Sequence, residues 1–374
     1  MHPLDYKGCI FNALREVECM NVVEQYNLTL QIEVLKEQSA ETLACLCNLV
    51  EESGTSDCVE LLKAYSHIVN TELYLATSIH ELDILKLDMV KLENTIKESL
   101  AQASHDISDI KAVKETGDVQ AIESYSSEDF DKALERTIDF LTFNKNISST
   151  PHAVILGGQS GAGKTTIHRV KMLESKGNYI VIDGDTYRAQ HPYFRALQEK
   201  YGVDSVDYTK MFAGKMVEAV IDKLSSLKYN LIIEGTLRSA AVPINTATLL
   251  KSKGYTVDFC LIATKPELSY LTTQLRYLEM MIVDPLQARA TPKDHHDGIV
   301  KSLVSNCNEL EQSGLFESIQ VYKRDLEQVY NSKICTESVG TVVDQILFGA
   351  WTQDEATLLE VSKSQEQALR AKLP

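Results

Sequence analysis

The stretch from Ala153 to Thr166, A-V-I-L-G-G-Q-S-G-A-G-K-T-T, restricts the possible fold more than any other part of the chain. An apolar run leads straight into G-x-x-x-x-G-K-T, the pattern of a phosphate-binding loop. Its physical demands are narrow. A buried strand must deliver a glycine-rich turn whose N–H groups converge on an anion, and the next helix must add the positive end of its dipole. The candidate nucleotide-binding residues are Gly158, Gln159, Ser160, Gly161, Ala162, Gly163, Lys164, Thr165 and Thr166. Lys164 is placed to reach the β- and γ-phosphates, and the Thr165 hydroxyl to ligate Mg²⁺.

The segments around this loop alternate. Apolar runs at Val154–Leu156, Tyr179–Ile182, Leu231–Ile233 and Val257–Ala263 are separated by stretches compatible with helices. Short buried strands with intervening helices predict a parallel sheet covered on both faces. Ligands then sit beyond the carboxyl ends of the strands, so the residues after each run are the ones to inspect. After the second run come Asp183, Gly184 and Asp185, where one carboxylate could support the Mg²⁺ shell through water and the other accept a proton from an attacking hydroxyl. After the third come Glu234, Thr236 and Arg238, suited to a substrate's hydroxyls and anionic groups. After the fourth, Thr264-Lys265-Pro266-Glu267 reads as a turn with Pro266 in the first position of a helix. Arg276 and Arg289 follow as candidate cations over a transferring phosphoryl group. His295-His296-Asp297 looks like a set of metal ligands but has no complementary His or Cys spaced to complete a site.

The front of the chain is different. No proline occurs between Pro3 and Pro151, and Gly54 is the only glycine between positions 9 and 116. Leu28, Ile32, Leu35, then Leu43, Leu46 and Leu49/Val50, and later Ile79, Leu82, Leu85, Met89, Leu92, Ile96 and Leu100 recur at helical spacing. The expectation is a bundle of two long helices, or three if Ala76-Thr77-Ser78 breaks the second, with Gly54 ending one helix and Ser56 capping the next. Domains are expected at 1–102 (helical) and 127–374 (nucleotide-binding), joined by a linker over 103–126, with Ser127 capping the helix that follows it. Residues 1–110 hold 19 Asp and Glu against 7 Lys and Arg, so most of the net charge of −16 belongs to the front. That excess argues against nucleic-acid binding there and suits docking onto a basic surface. Eight irregularly spaced cysteines read as reduced thiols, and no apolar run nears the ~20 residues of a membrane span, so a cytoplasmic protein is expected.

From about Ser127 to Gln353 the chain resembles the zeta toxins, the kinases of epsilon/zeta toxin–antitoxin pairs. The motifs that carry this are Gly157–Thr166, Val181-Ile182-Asp183-Gly184-Asp185, Phe212-Ala213-Gly214-Lys215-Met216-Val217-Glu218, Ile233-Glu234-Gly235-Thr236-Leu237-Arg238, Thr264-Lys265-Pro266-Glu267-Leu268, Gln287-Ala288-Arg289-Ala290-Thr291-Pro292 and His295-His296-Asp297. The resemblance implies an α/β P-loop kinase-like fold preceded by an all-α bundle. It also implies ATP- or GTP-dependent, Mg²⁺-assisted phosphorylation of the 3′-hydroxyl on the amino sugar of UDP-N-acetylglucosamine, which blocks cell-wall precursor synthesis. By motif, Lys164 and Thr165 hold phosphates and Mg²⁺, Asp185 is the general base, Arg276 and Arg289 neutralise the phosphoryl group, and Glu218, Glu234, Thr236 and Arg238 line the sugar-nucleotide site. Tyr26–Glu37 and Asn70–Leu75 are similar to the toxin-neutralising helices of the cognate antitoxins, here joined to the toxin in one chain. An inhibitory helix bearing Tyr26, Glu33 and Glu37 is therefore expected to cover the nucleotide pocket in cis. Two alternatives stay open: a P-loop kinase of another small hydroxyl compound, such as an aminoglycoside or nucleoside, and a nucleotide-binding regulatory module without transfer activity.

Overall fold

The computed structural model describes residues 21–54, 58–106, 122, 124–285 and 288–373. Ser56, Cys9, Cys19, Gln287 and most of the expected linker lie outside them. In chain order the elements are α1 (Val22–Ser53), α2 (Val59–His67), which continues through a π-helical turn (Ile68–Glu72) to Leu75, then α3 (Ile79–Asp106), α4 (Ser127–Thr142), β1 (His152–Gly157), α5 (Lys164–Glu174) and β2 (Tyr179–Ile182). A helical turn (Gly184–Tyr187) leads to α6 (Phe194–Tyr201), α7 (Ser205–Ser226), β3 (Asn230–Glu234), α8 (Ala241–Ser252), β4 (Thr256–Ile262), α9 (Pro266–Val283) and α10 (Lys293–Ser313). The chain ends with β5 (Ile319–Tyr322), β6 (Gln328–Asn331), α11 (Val339–Phe348) and α12 (Gln353–Arg370). These elements form two compact units, neither continuous in sequence: one of residues up to Val34 with Lys145–Asp183 and Ile221–Pro374, the other of Leu35–Asn144 and Gly184–Val220.

The first unit is built on a six-stranded sheet in the order β2-β3-β1-β4-β5-β6. The five strands from β2 to β5 run parallel and β6 returns antiparallel to β5. The four apolar runs are strands, and the mostly parallel sheet flanked by helices is the fold class the sequence predicts. The last hairpin was not predicted: I-Q-V-Y and Q-V-Y-N are four-residue strands with alternating burial, too short to stand out from their surroundings. β1 is the centre of the sheet, with Ala153, Val154 and Leu156 wholly buried. A strand buried on both faces reads as a continuous apolar run, which is why this stretch was so legible.

A second core in this unit joins α9, α12 and the start of α1, where Tyr26 and Leu30 pack with Leu268, Leu271, Leu275, Leu278 and Leu358. Val34 continues the row against Met280 and Ala288. Residues 26, 30 and 34 step by four and so share one helical face. Leu28 and Ile32, the stripe predicted from sequence, are also fully buried. The front of α1 is therefore enclosed on more than one side, as a core helix is rather than a surface one.

The second unit is mainly helical. Gly54 ends α1 in a left-handed conformation (φ 65°), as expected. Thr77 and Ser78 do separate α2 from α3, giving three helices, and α3 extends to Asp106, four residues into the predicted linker. The cap of α4 is Ser126 rather than Ser127: its hydroxyl accepts from the Asp129 N–H while the Asp129 carboxylate accepts from the Ser126 N–H. The serine one position earlier is the one with extended backbone angles, which a capping residue needs. Glu41, buried in this unit, is held by Arg195 at 3.0 Å and Gln198 at 3.3 Å.

Candidate active site

The loop between β1 and α5 takes the shape its glycines allow. Gly158, Gly161 and Gly163 have φ of 147°, 72° and 100°. Gly161 has the least freedom, since a Cβ there would run into the Ser269 carbonyl oxygen. The first turn of α9 thus packs directly on the loop. Gln159, fully buried, donates to the Thr264 carbonyl at 2.5 Å, and the Thr264 hydroxyl donates back to the Ala162 carbonyl at 2.9 Å. Ser269 in turn meets the His296 Nε2 at 2.9 Å, while Nδ1 faces Asp297 at 3.3 Å. His296 thus braces the wall behind the loop, and burial holds its pKa below the ordinary imidazole value. Among the described residues, no group of three or more His, Cys, Asp or Glu side chains could hold a metal ion.

This bracing makes Gly161→Ala costly twice over, through a left-handed backbone and through the Ser269 carbonyl. The expected loss is about 2 kcal/mol or more, a fall in thermal midpoint of about 4–8 °C, with nucleotide affinity lost as well. Scanning calorimetry and a nucleotide titration of the variant check both.

Lys164 is buried with its ammonium 3.3 Å from the Gly158 carbonyl and 3.5 Å from a Glu234 carboxylate oxygen. The other Glu234 oxygen lies 3.2 Å from Nε2 of His168, a fully buried histidine one turn into α5. Glu234 therefore connects the end of β3 with Lys164 of the loop. It also lines a cavity of about 490 Å³ together with Gly157, Thr236, Arg238, Pro243 and Thr246. The cavity loop is under backbone strain at Leu237 (φ 55°), whose carbonyl is held by the Asn306 side chain at 2.8 Å. Mg²⁺ usually takes one or two protein oxygens and completes its shell with water and phosphates. Thr165 at the start of α5 and Asp183 after β2 are oxygen donors of that kind, in the same unit.

The predicted site residues divide between the units. Lys164, Thr165, Glu234, Thr236, Arg238, Arg276 and Arg289 belong to the first, with Arg238 exposed and Arg276 and Arg289 half-buried. Asp185 and Glu218 belong to the second, both exposed. Asp185 pairs with the Arg188 Nε at 3.0 Å, and Arg188 is itself anchored on the Val206 carbonyl at 2.8 Å. Ser269, His168 and Arg324 were not singled out from the sequence, and Thr264 only as part of a turn. The search of strand ends met Thr264 just after β4 without giving it a role, and Ser269 lies in the first turn of α9.

The start of α1 lies on this same site. The Thr29 hydroxyl is 3.4 Å from that of Thr166 in the loop helix, and the Tyr26 hydroxyl is 3.4 Å from that of Thr272. Ser362 of α12 donates to the Tyr26 hydroxyl at 3.0 Å, and Gln365 donates to Asn27 at 2.8 Å. The guanidinium of Arg324, after β5, stands 4.6 Å from the centre of the Tyr26 ring. Glu33 reaches Arg276 at 3.9 Å. Glu37 falls in the second unit.

The parallel sheet, the phosphate-binding loop and the lysine buried in it define the P-loop kinase-like class, here with a helix of the chain's own front on the loop. A sequence model of the zeta toxin family matches residues 137–334, and one of the bacterial epsilon antitoxins matches residues 24–99. The chain is 55% identical over 251 residues to toxin PezT of Streptococcus pneumoniae serotype 4, which covers 67% of this chain and 99% of that protein. It is 41% identical over 211 residues to toxin zeta of Streptococcus agalactiae, covering 56% of this chain and 74% of that one. A solved structure from the PezAT chromosomal toxin–antitoxin system of Streptococcus pneumoniae superposes with a TM-score of 0.63 at 52% identity, over 67% of this chain and all of that one. The chain belongs to the zeta toxin family and carries an epsilon-antitoxin region fused in front of the toxin.

Proposed function

We propose that this chain is a self-restrained sugar-nucleotide kinase. It transfers the terminal phosphoryl group of ATP or GTP to the 3′-hydroxyl on the amino sugar of UDP-N-acetylglucosamine and so depletes a cell-wall precursor. The observation that carries the reading is Glu234, shared between the phosphate-binding lysine and the cavity of about 490 Å³. A polar residue common to the nucleotide loop and an adjoining pocket is what an acceptor held against a γ-phosphate requires. The cavity's Thr236 and Arg238 add a hydroxyl and a cation suited to a sugar and a diphosphate. Thr165, and Asp183 through water, would hold Mg²⁺, which would supply charge neutralisation at the phosphates. Asp185 takes the proton of the acceptor hydroxyl, and Arg276 and Arg289 offset the charge of the phosphoryl group in flight.

In the same reading the antitoxin region restrains the kinase in cis. Thr29 faces Thr166, and Glu33 faces Arg276, at positions a bound nucleotide needs. A tethered inhibitor acts at roughly millimolar effective concentration, so modest contacts suffice.

ADP release by the full chain and by a 127–374 fragment, with and without UDP-N-acetylglucosamine, tests both parts. The fragment is expected to turn over and to be stimulated by the sugar nucleotide, while the full chain is slow. Equal rates sink the restraint in cis. Stimulation by an aminoglycoside or nucleoside but not by the sugar nucleotide replaces the acceptor, and release that no acceptor stimulates removes the transferase reading.

A further inference from the structure

Arg324 has no part in the reading above, yet it lies against the masked loop. It stands two residues after β5, and its side chain lies along Gly163: a Cβ on that glycine would sit 3.5 Å from both Cγ and Nε of Arg324. One guanidinium nitrogen, Nη1, donates to Thr272 at 3.0 Å. Its Cζ stands over the Tyr26 ring, 4.6 Å from the centre. The arginine side chain thus touches both the loop glycine and the aromatic ring, and of the three only the ring comes from the antitoxin region. Arg324 also lines a small hollow of about 20 Å³ whose other walls are apolar at Ala263, Leu268 and Leu358 and charged at Lys323, Asp325, Asp354 and Glu355. A planar cation beside apolar side chains, with carboxylates to accept from exocyclic amino groups, suits a heterocyclic base.

The antitoxin residues on this site fall in a row. Tyr26, Thr29 and Glu33 are spaced at i, i+3 and i+7, which places them on one face of α1 over a rise of about 10 Å. Each faces a different chemical partner: the ring a planar guanidinium, the hydroxyl Thr166 in the first turn after the loop, the carboxylate the arginine assigned to the moving phosphoryl group. Ring, polar neck and anion in that order repeat the order of parts in an extended nucleoside triphosphate.

We infer that Arg324 is the base-binding residue of the nucleotide site, that the nucleotide's heterocycle stacks on its guanidinium, and that Tyr26 holds that place in the closed chain. The inference rests on the reading of α1 as a mask over a nucleotide site, and goes beyond it by assigning a residue and a ligand moiety to each position. It also says why an aromatic side chain stands at position 26. An aliphatic one would bury as well on the leucines of α9 but would leave the guanidinium face without a partner.

The test uses the full chain carrying Tyr26→Ala, with ATP and inorganic tripolyphosphate titrated by calorimetry. Adding Arg324→Ala is expected to weaken ATP about tenfold or more and to leave tripolyphosphate unchanged. Arg324→Lys is expected to behave like the alanine variant, since an ammonium cannot stack as a plane. Arg324→Gln serves as a second truncation, and unchanged tripolyphosphate binding reports that the loop is still folded. If both ligands weaken alike and lysine restores them, Arg324 is a phosphate contact and the inference is overturned. It is equally overturned if ATP binding does not move. If the Tyr26→Ala chain binds neither ligand, the masking reading itself fails and this inference falls with it.

Discussion

Tyr26→Ala in the full chain is expected to raise ATP affinity on the order of 10²-fold, whereas Glu33→Gln raises it fivefold at most. Both residues lie on the proposed nucleotide site, but they hold the front of α1 there by different forces. The Tyr26 ring is 3% exposed, lies 4.6 Å from the Arg324 guanidinium and packs against the leucines of α9 and α12, with its hydroxyl met by Ser362 and Thr272. Truncating a buried aromatic side chain costs about 3–5 kcal/mol, and that loss falls on the closed form alone, because the ring is already in water when the helix leaves. About 3 kcal/mol moves a closed–open equilibrium on the order of 10²-fold. The Glu33–Arg276 pair is 3.9 Å apart, a loose contact of the kind worth up to ~1 kcal/mol. Calorimetric ATP titrations of the two variants, with protease susceptibility of α1 as a second readout, rank the forces. A larger effect from Glu33→Gln would falsify the apolar ranking and make the mask electrostatic.

That ranking changes the weight given to the charge count. The 19 acids against 7 bases at the front suggest a helix drawn onto a basic surface. In the first unit the front of α1 is instead buried through Tyr26, Leu28, Leu30, Ile32 and Val34. The stripe Leu28–Ile32–Leu35 was legible because its spacing fits one helical face. Leu30 and Val34 were not, and Tyr26 was named only through the family resemblance, because apolar residues on a second face blur the period instead of strengthening it. What remains for charge is local: an acid at 33 opposite Arg276, and a long-range field that favours encounter over hold.

The site was legible where chemistry and backbone geometry coincide. The loop from Gly158 to Thr166 needs left-handed glycines and a buried strand before it, so residue types alone reveal it. Strand ends gave Glu234, Thr236 and Arg238 for the same reason. Arg324 escaped because β5 is only four residues long with alternating burial, so nothing marked position 324 as a strand end. His296 was conspicuous for the wrong chemistry: a histidine beside an aspartate resembles a metal ligand until Ser269, 27 residues away in sequence, is found as its partner. Contacts of that range have no signature in local spacing.

Removing the two groups assigned to opposite ends of the transfer is expected to separate binding from chemistry. In a chain already opened by Tyr26→Ala, Lys164→Ala should lose nucleotide affinity and turnover together, with kcat/KM down on the order of 10³-fold. Lys164 is buried among the Gly158 carbonyl, the Gln159 carbonyl and Glu234, and a triphosphate is the ligand that displaces this set of acceptors with stronger ones. Its loss also removes an ammonium that faces Glu234 at 3.5 Å, so the sugar-nucleotide KM should rise as well. Asp185→Asn should act otherwise. Its carboxylate is exposed and held by Arg188, which is pinned to Val206 and Thr209, so the amide can take the same place without disturbing the loop. General-base assistance is worth about 10²–10⁴-fold, and that factor should appear in kcat while ATP affinity stays within twofold. Single-turnover transfer measured beside ATP calorimetry distinguishes the cases. If Asp185→Asn weakens ATP as much as it slows transfer, Asp185 acts on the nucleotide or its metal, and the proton of the acceptor hydroxyl must leave by another route.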